Sequence, residues 1–425
     1  MSSPPTDRPD PMATLNRRRF LEAASIALAG SGVHWTFASA QDATPTPGDS
    51  GPLSSLMALL SYVPARLARE DVARQILFYH ADLKAQFAAL GIDRSVADWL
   101  DDLPIVETTL PLALATTVFM YAANADFVKA LGFQPYDVDR SLETNWSPAG
   151  LAILQGGLDR DRLEAAWTAS AYTQIPLEGG LTMWSKGENG EMDASDPVAR
   201  FGAGAFNNLL LLDDQTLAIA RKGEVIRSVA THATVDAYVD ASMAGMPQVR
   251  QAVEAMLPDT ASSIVVDGSY LALATRVNRV PPGTTAFPTP AASAEATPLM
   301  PATLVAAFGV EAGATAAAPR DDAGTPTVLP SETPAENVRR AQIRLVTASE
   351  ADARQAVDVA SERWMTMEAP RNRRPYDELM ALLSAEVSAT DPTVAAFDFD
   401  QGENGGYWIN LLVQMNLLPF APGSL

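Results

Sequence analysis

The stretch FNNLLLLDDQTLAIARKG, Phe206 to Gly223, sets two apolar runs on either side of Asp213, Asp214 and Gln215. Two short β-prone runs around a polar turn read as a β-hairpin. A second run of that type, ASSIVVDGSYLALATRV (261–277), carries Asp267-Gly268 in its middle and predicts another hairpin with that pair at its tip. Hairpins make antiparallel sheets, whereas a parallel sheet needs helical crossovers between successive strands. The fold class expected is therefore α+β, a mainly antiparallel sheet with helices packed on one face.

Working outward, ARQILFYHAD, AGLAILQGGL, LTMWS, ATLVAAFGVEA, VRRAQIRLV and PTVAAFDFD read as strands. LKAQFAALG predicts a helix stopped by Gly91, and DRDRLEAAWTASAY one started by Asp159, with Leu163, Ala166, Trp167 and Ala171 at core spacing. TVDAYVDASM, PQVRQAVEAML, EADARQAVDVASERWMTM, YDELMALLSAEV and GYWINLLVQMN carry the same helical period. TLPLALATTVFMYAANADFV, from Thr109, is uncharged only to about Ala123 and reads as a buried helix, since a span needs about 20 apolar residues. The recurrence of strand, helix, strand, hairpin and helix points to duplicated ferredoxin-like units.

The chain holds 51 acidic and 30 basic residues, a net charge of −21, with no cysteine and a mean hydropathy of +0.01. Nucleic acid is not an expected partner of such a surface. Lack of cysteine excludes disulfides, thiolate-held clusters and c-type haem, and no cofactor is expected.

Against this acidic background the head of the chain is basic. LNRRRFLEAASIALAG (15–30) joins Arg17, Arg18 and Arg19 to an apolar run too short to span a bilayer, and ASA at 38–40 puts Ala38 and Ala40 at the −3 and −1 positions of a processing site. Arg17, Arg18, Phe20 and Leu21 resemble the core of a bacterial twin-arginine (Tat) signal. Asn16 stands where Ser or Thr is usual and Glu22 where Lys is common. The resemblance implies export in the folded state, with the Tat translocase as a transient partner, and membrane anchoring only if the signal stays uncleaved. The cadence ADFVKALGFQPYDVDRSLE is similar to exported bacterial proteins without an assigned activity, and it supplies no site residues.

Composition divides the chain into a signal (1–40), a Pro/Thr-rich tether (41–52), an α+β region (53–278), low-complexity loops around one strand (279–337) and a C-terminal α+β region (338–425) that completes the fold. No transmembrane span is expected in the mature chain.

Catalytic templates fit poorly. GDSGP at 48–52 looks like the serine-protease motif around the nucleophile but lacks its second glycine, falls in the tether and has no suitable histidine, and neither a Gly-x-Ser-x-Gly elbow nor a phosphate-binding loop occurs. His80 follows an apolar run, and His232 is expected between a strand and a helix that Thr231 or Thr234 would cap. The seven Trp are scattered, and most read as single core fillers. The string GENG occurs at 187–190 and 402–405. Near the second copy, Asp398, Asp400 and Asn404 have a spacing reminiscent of calcium loops, but Glu403 stands where the loop glycine should be, so no metal requirement is expected. The function expected is an exported, extracytoplasmic protein that binds a ligand or an envelope partner, or has a structural role, without catalysis. The alternative is an exported hydrolase built on a carboxylate pair.

Overall fold

The computed structural model describes residues 52–69, 76–89, 93–94, 125–144, 150–187, 196, 198, 204–234, 241–272, 299–311, 340–369, 374–400 and 417–423. Helices α1 (Pro52–Ser61) and α2 (Ala65–Arg69) lead into β1 (Ile76–Asp82), α3 (Leu83–Ala89), α4 (Ala125–Leu131), β2 (Val138–Thr144) and β3 (Leu151–Gly156). Then come α5 (Arg160–Ala169), β4 (Thr173–Pro176), β5 (Thr182–Ser185), β6 (Asn208–Leu211), β7 (Thr216–Ala220), α6 (Gly223–Ala233) and α7 (Pro247–Glu254). The last part holds β8 (Thr260–Asp267), β9 (Thr303–Glu311), β10 (Arg340–Thr347), α8 (Glu350–Thr366), α9 (Tyr376–Leu379), β11 (Ala381–Val387) and β12 (Val394–Asp400).

The twelve strands among the described residues join one sheet in the order β11-β12-β10-β9-β8-β1-β2-β3-β7-β6-β5-β4, and each of these pairings is antiparallel. The expected hairpin β6–β7 is present, with Gln215 N donating to Asp213 Oδ1 in its turn. A single continuous sheet takes the place of separate ferredoxin-like units.

The sheet has its own internal repeat. Outward from β1 the strands run β1-β2-β3-β7-β6, and outward from β8 they run β8-β9-β10-β12-β11. The chain enters each half from a helix pair, and a helix, α5 or α8, follows its third strand. Because β1 and β8 pair antiparallel, the halves are related by a pseudo-twofold axis through that junction. Both junction strands end in aspartate, and each aspartate holds the turn after it: Asp82 Oδ1 accepts from Ala85 N at 2.9 Å and Asp267 Oδ1 from Ser269 N at 2.8 Å.

The expected helical layer on one face is α1, α6 and α7, whose Leu59, Leu60, Ile226, Val229, Val249 and Val253 pack on Phe78, Leu142, Ile153, Val265 and Ala307. The opposite face carries two further groups. There α3, α4 and α5 cover the first half around Trp167, and α8 and α9 cover the second around Trp364. Strands between two layers bury side chains of both parities, which is why β7 and most of β8 and β10 are buried without alternation. Burying both faces of a sheet this wide supplies the bulk of the hydrophobic stabilisation.

Four sequence expectations fail. Asp267-Gly268 is not a hairpin tip: residues 268–272 are helical, and β8 pairs with β1 and β9 instead. A Cβ on Gly268 would lie 1.6 Å from the Thr303 carbonyl oxygen, so glycine serves a close approach there rather than a turn. YDELMALLSAEV yields only the short α9 and then strand β11, because the ladder offered by β12 outweighs the helix propensity of Met, Ala and Leu. His232 lies inside α6, and Thr234 is that helix's C-cap rather than the start of the next one. The expected helix at 234–243 falls mostly outside the described residues, as do the 109–128 helix before Ala125 and GYWINLLVQMN. Ala171, expected in the core, is exposed with a φ of 59° at the turn after α5.

Candidate functional site

Two bands of polar side chains reach the interior on the face that carries α1, α6 and α7. The first lies on β10 and β12, where the alternation of β10 sends Gln342 and Arg344 to the same side. Arg344 donates from Nη2 to Asp398 Oδ1 at 2.8 Å, from Nε to the Ala255 carbonyl at 2.6 Å and from Nη1 to the Phe397 carbonyl at 2.9 Å. Burial pushes its pKa down, while Asp398 and Glu386 push it up. The other oxygen of Asp398 accepts from Ser384 Oγ at 3.0 Å. Gln342 takes the Leu257 N–H at 2.8 Å and donates to Thr260 Oγ1. These bonds moor the end of α7 to the sheet. A guanidinium committed in this way is a clamp for backbone carbonyls rather than a free cation.

The second band crosses the junction of the two halves. His80 on β1 stands directly opposite Leu142 of β2 and Ser263 of β8. Its side chain is 1% exposed, both ring nitrogens lack hydrogen-bond partners among the described residues, and so does the hydroxyl of Ser263, which is 0% exposed. Burial, with the positive charge of Arg140 added, holds the imidazole neutral and lowers its pKa to about 3. Arg140 itself pairs with Asp82 Oδ2 at 3.3 Å and donates to Gln155 Oε1 at 3.3 Å.

The sequence-predicted positions are therefore not brought together. Asp398 is tied to Arg344 and Ser384, and Asp400 stands opposite Arg340 and Ala381 in the ladder. Asn404, residues 188–190 and 402–405 of the two GENG strings, and Arg17, Arg18, Phe20, Leu21, Ala38 and Ala40 lie outside the described residues. His80 and His232 sit on different elements. His232 Nε2 contacts the Ser61 carbonyl at 3.0 Å, which links α6 to α1. Among the described residues no three His, Asp or Glu side chains converge as metal ligands.

Trp167, Trp184 and Trp364 are buried, as the sequence suggests, but in clusters rather than singly. Trp167 meets Trp184 edge-on at 5.6 Å, and Trp364 touches the rings of Tyr376, Phe399 and Phe420. Sequence reasoning missed Arg344 and Gln342. The signal available was a charged and an amide residue inside the apolar run AQIRLV, where a strand buried on both faces must pair them.

No protein-family model matches the chain, and no curated protein matches it. Among solved structures, crystal form I of TP0453 is similar over 83% of this chain and 97% of its own, at 6% identity and a TM-score of 0.34.

Proposed function

We propose that this chain is an exported, extracytoplasmic protein that binds a ligand or envelope partner, or serves a structural role there, without catalysing a reaction. The observation that supports it is how the buried charges are used. Arg344 and Arg363 direct donors at the carbonyls of Ala255, Phe397, Ala421 and Gly423, and Asp398 neutralises Arg344. Charge in this interior holds strands and helix ends in place. Reactive carboxylates are instead set in a cleft with their pKa values driven apart. The location rests on the resemblance of Arg17-Arg18-Arg19-Phe20-Leu21 to a Tat signal. No helix among the described residues is long and apolar enough to cross a membrane.

The test is a double variant, Arg17→Lys with Arg18→Lys, followed by fractionation. Folded protein should accumulate in the cytoplasm, because the recognition element needs guanidinium groups and the folded body does not. Export at the parental level would remove the location. Separately, the purified protein should give no turnover of chromogenic glycosides. Turnover abolished by Asp398→Asn would favour the hydrolase instead.

A further inference from the structure

The two ends of the sheet are finished differently. In the first half the strand equivalent to β11 is β6, and it is not an edge: β5 is laid against it, with Met183 opposite Leu210 and Trp184 opposite Leu209. Under that cover all four residues of β6 are buried. The outermost strand there, β4, is four residues long and ends in Pro176, which has no N–H to offer another strand.

In the second half the described residues between α8 and β11 form α9 instead of a hairpin, so β11 is the last of the described strands. It is seven residues long and contains no proline. Its Leu382, Ala385 and Val387 lie against the Trp364 cluster but stay half-buried, where their counterparts in β6 are fully covered. Leu383, at the register shift, is 50% exposed. The other face of β11 presents Ser384 and Glu386, with Asp398 and Asp400 behind them on β12.

We infer that the outer edge of β11 is a docking site for an extended segment of another polypeptide, one that alternates apolar with basic residues and adds to the sheet as a thirteenth strand. The first half displays the geometry, since β5 performs this addition on β6 within the chain. Main-chain hydrogen bonds would supply affinity, and side chains alternating between faces would supply selection. Apolar residues of the guest would complete the half-covered cluster over Leu382, Ala385 and Val387. On the opposite face a Lys or Arg would stand beside Glu386, where an acidic residue would meet like charge. The inference rests on the partner-binding reading above but not on export.

The test uses purified full-length protein and three synthetic ten-residue peptides: alternating Val and Lys, alternating Val and Glu, and the Val–Lys peptide with two central prolines. Binding is read by fluorescence anisotropy at low salt, and its location by hydrogen exchange. The Val–Lys peptide should bind, slow exchange within residues 381–387 and lose binding when broken by proline. Glu386→Lys should shift the preference between the Lys and Glu peptides by about two- to fivefold, the size of a cross-strand charge pair. Leu383→Lys, on an exposed side chain, should leave the fold unchanged and weaken binding.

Equal binding of the proline-broken peptide, protection elsewhere, or no protection at 381–387 would overturn the inference. So would concentration-dependent dimerisation abolished by Leu383→Lys, which would give the edge to a second copy. A protein that fails this test but is exported normally leaves the proposed function standing, with its binding surface elsewhere.

Discussion

The half of the sheet that begins at β1 and the half that begins at β8 have the same strand order and solve the same packing problem with different residues. Each buries one tryptophan on the helix that follows its third strand, and each lets the indole N–H donate to a backbone carbonyl: Trp167 to Leu131 at 3.0 Å, Trp364 to Met380 at 3.1 Å. Helix α8, at 17 residues, is two turns longer than the 10-residue α5, and its tryptophan sits correspondingly later. Both helices begin with a capping side chain, Asp159 accepting from Arg162 N and Ser349 from Asp352 N. The halves differ on the shared face. The first fills it with Met183, Leu210, Ile153 and Ala218, whereas the second carries the Gln342, Arg344 and Asp398 band. Topology has been kept while the chemistry of the surface beneath the helices has diverged.

Removing either tryptophan tests that equivalence most severely. Trp167→Ala and Trp364→Ala should each cost about 4 kcal/mol, as large-to-small changes in a packed core do. If the halves fold as one unit, both variants should show a single shifted urea transition. Two separated transitions in Trp364→Ala alone would mean that the second half unfolds by itself and that the continuous sheet does not make it cooperative.

The junction responds to acid. His80 has a folded pKa of about 3 against an ordinary value near 6.5, so the unfolded chain takes up a proton where the folded one does not. Stability is therefore unaffected by this group above about pH 6.5 and falls as the pH drops from there towards 3, by on the order of 4 kcal/mol if nothing relaxes. Urea titrations at pH 7 and pH 4 of the parent and His80→Leu check the sign: the parent should lose more stability than the variant. An equal loss in both would show that His80 does not stay neutral at pH 4.

The polar band of the second half should be next in size. Asp398→Ala leaves the Arg344 guanidinium buried beside Phe397 and Ala255 without its counter-charge, and about 2 kcal/mol should be lost, less than for a fully buried pair because Asp398 is partly exposed. Chemical denaturation measures it. A cost below about 0.5 kcal/mol would mean that Arg344 relaxes to solvent and that the band does not moor α7.

What the sequence revealed follows the range of the interactions involved. The β6–β7 hairpin and the α5 helix were legible because Asp213 to Gln215 and Asp159 signal them locally. The antiparallel class followed from such hairpins. The repeat was not legible, since it resides in which strands pair, and Asp82 and Asp267 are all that the two junction strands share at matching positions. Strand β11 was misread because LMALLSAEV has helical composition, and it is the pairing with Phe397 and Phe399 of the next strand, β12, that makes it a strand. The His80–Ser263 pairing was invisible because nearly two hundred residues separate partners that one ladder register sets side by side.

That pair yields the smallest effect and the only gain. With Asp82 and Asp267 in register by the pseudo-twofold axis, His80 corresponds to Val265 and Ser263 to Phe78. Phe78 and Val265 face each other across the same ladder, so the axis turns an apolar pair into the polar one. In the apolar pair nothing is left unsatisfied. In the polar pair a buried hydroxyl and a neutral imidazole have exchanged solvent for no hydrogen bond, which costs stability. Ser263→Ala should therefore raise stability by about 0.5–1 kcal/mol, and His80→Leu made in that background should raise it further. The same substitution at Ser384, whose hydroxyl donates to Asp398, should lower it instead. Thermal melts of the three variants at pH 7 decide the matter. A loss in Ser263→Ala comparable to that in Ser384→Ala would mean that the Ser263 hydroxyl is satisfied in solution, and the junction would then be a built polar contact rather than an unmatched copy of Phe78 against Val265.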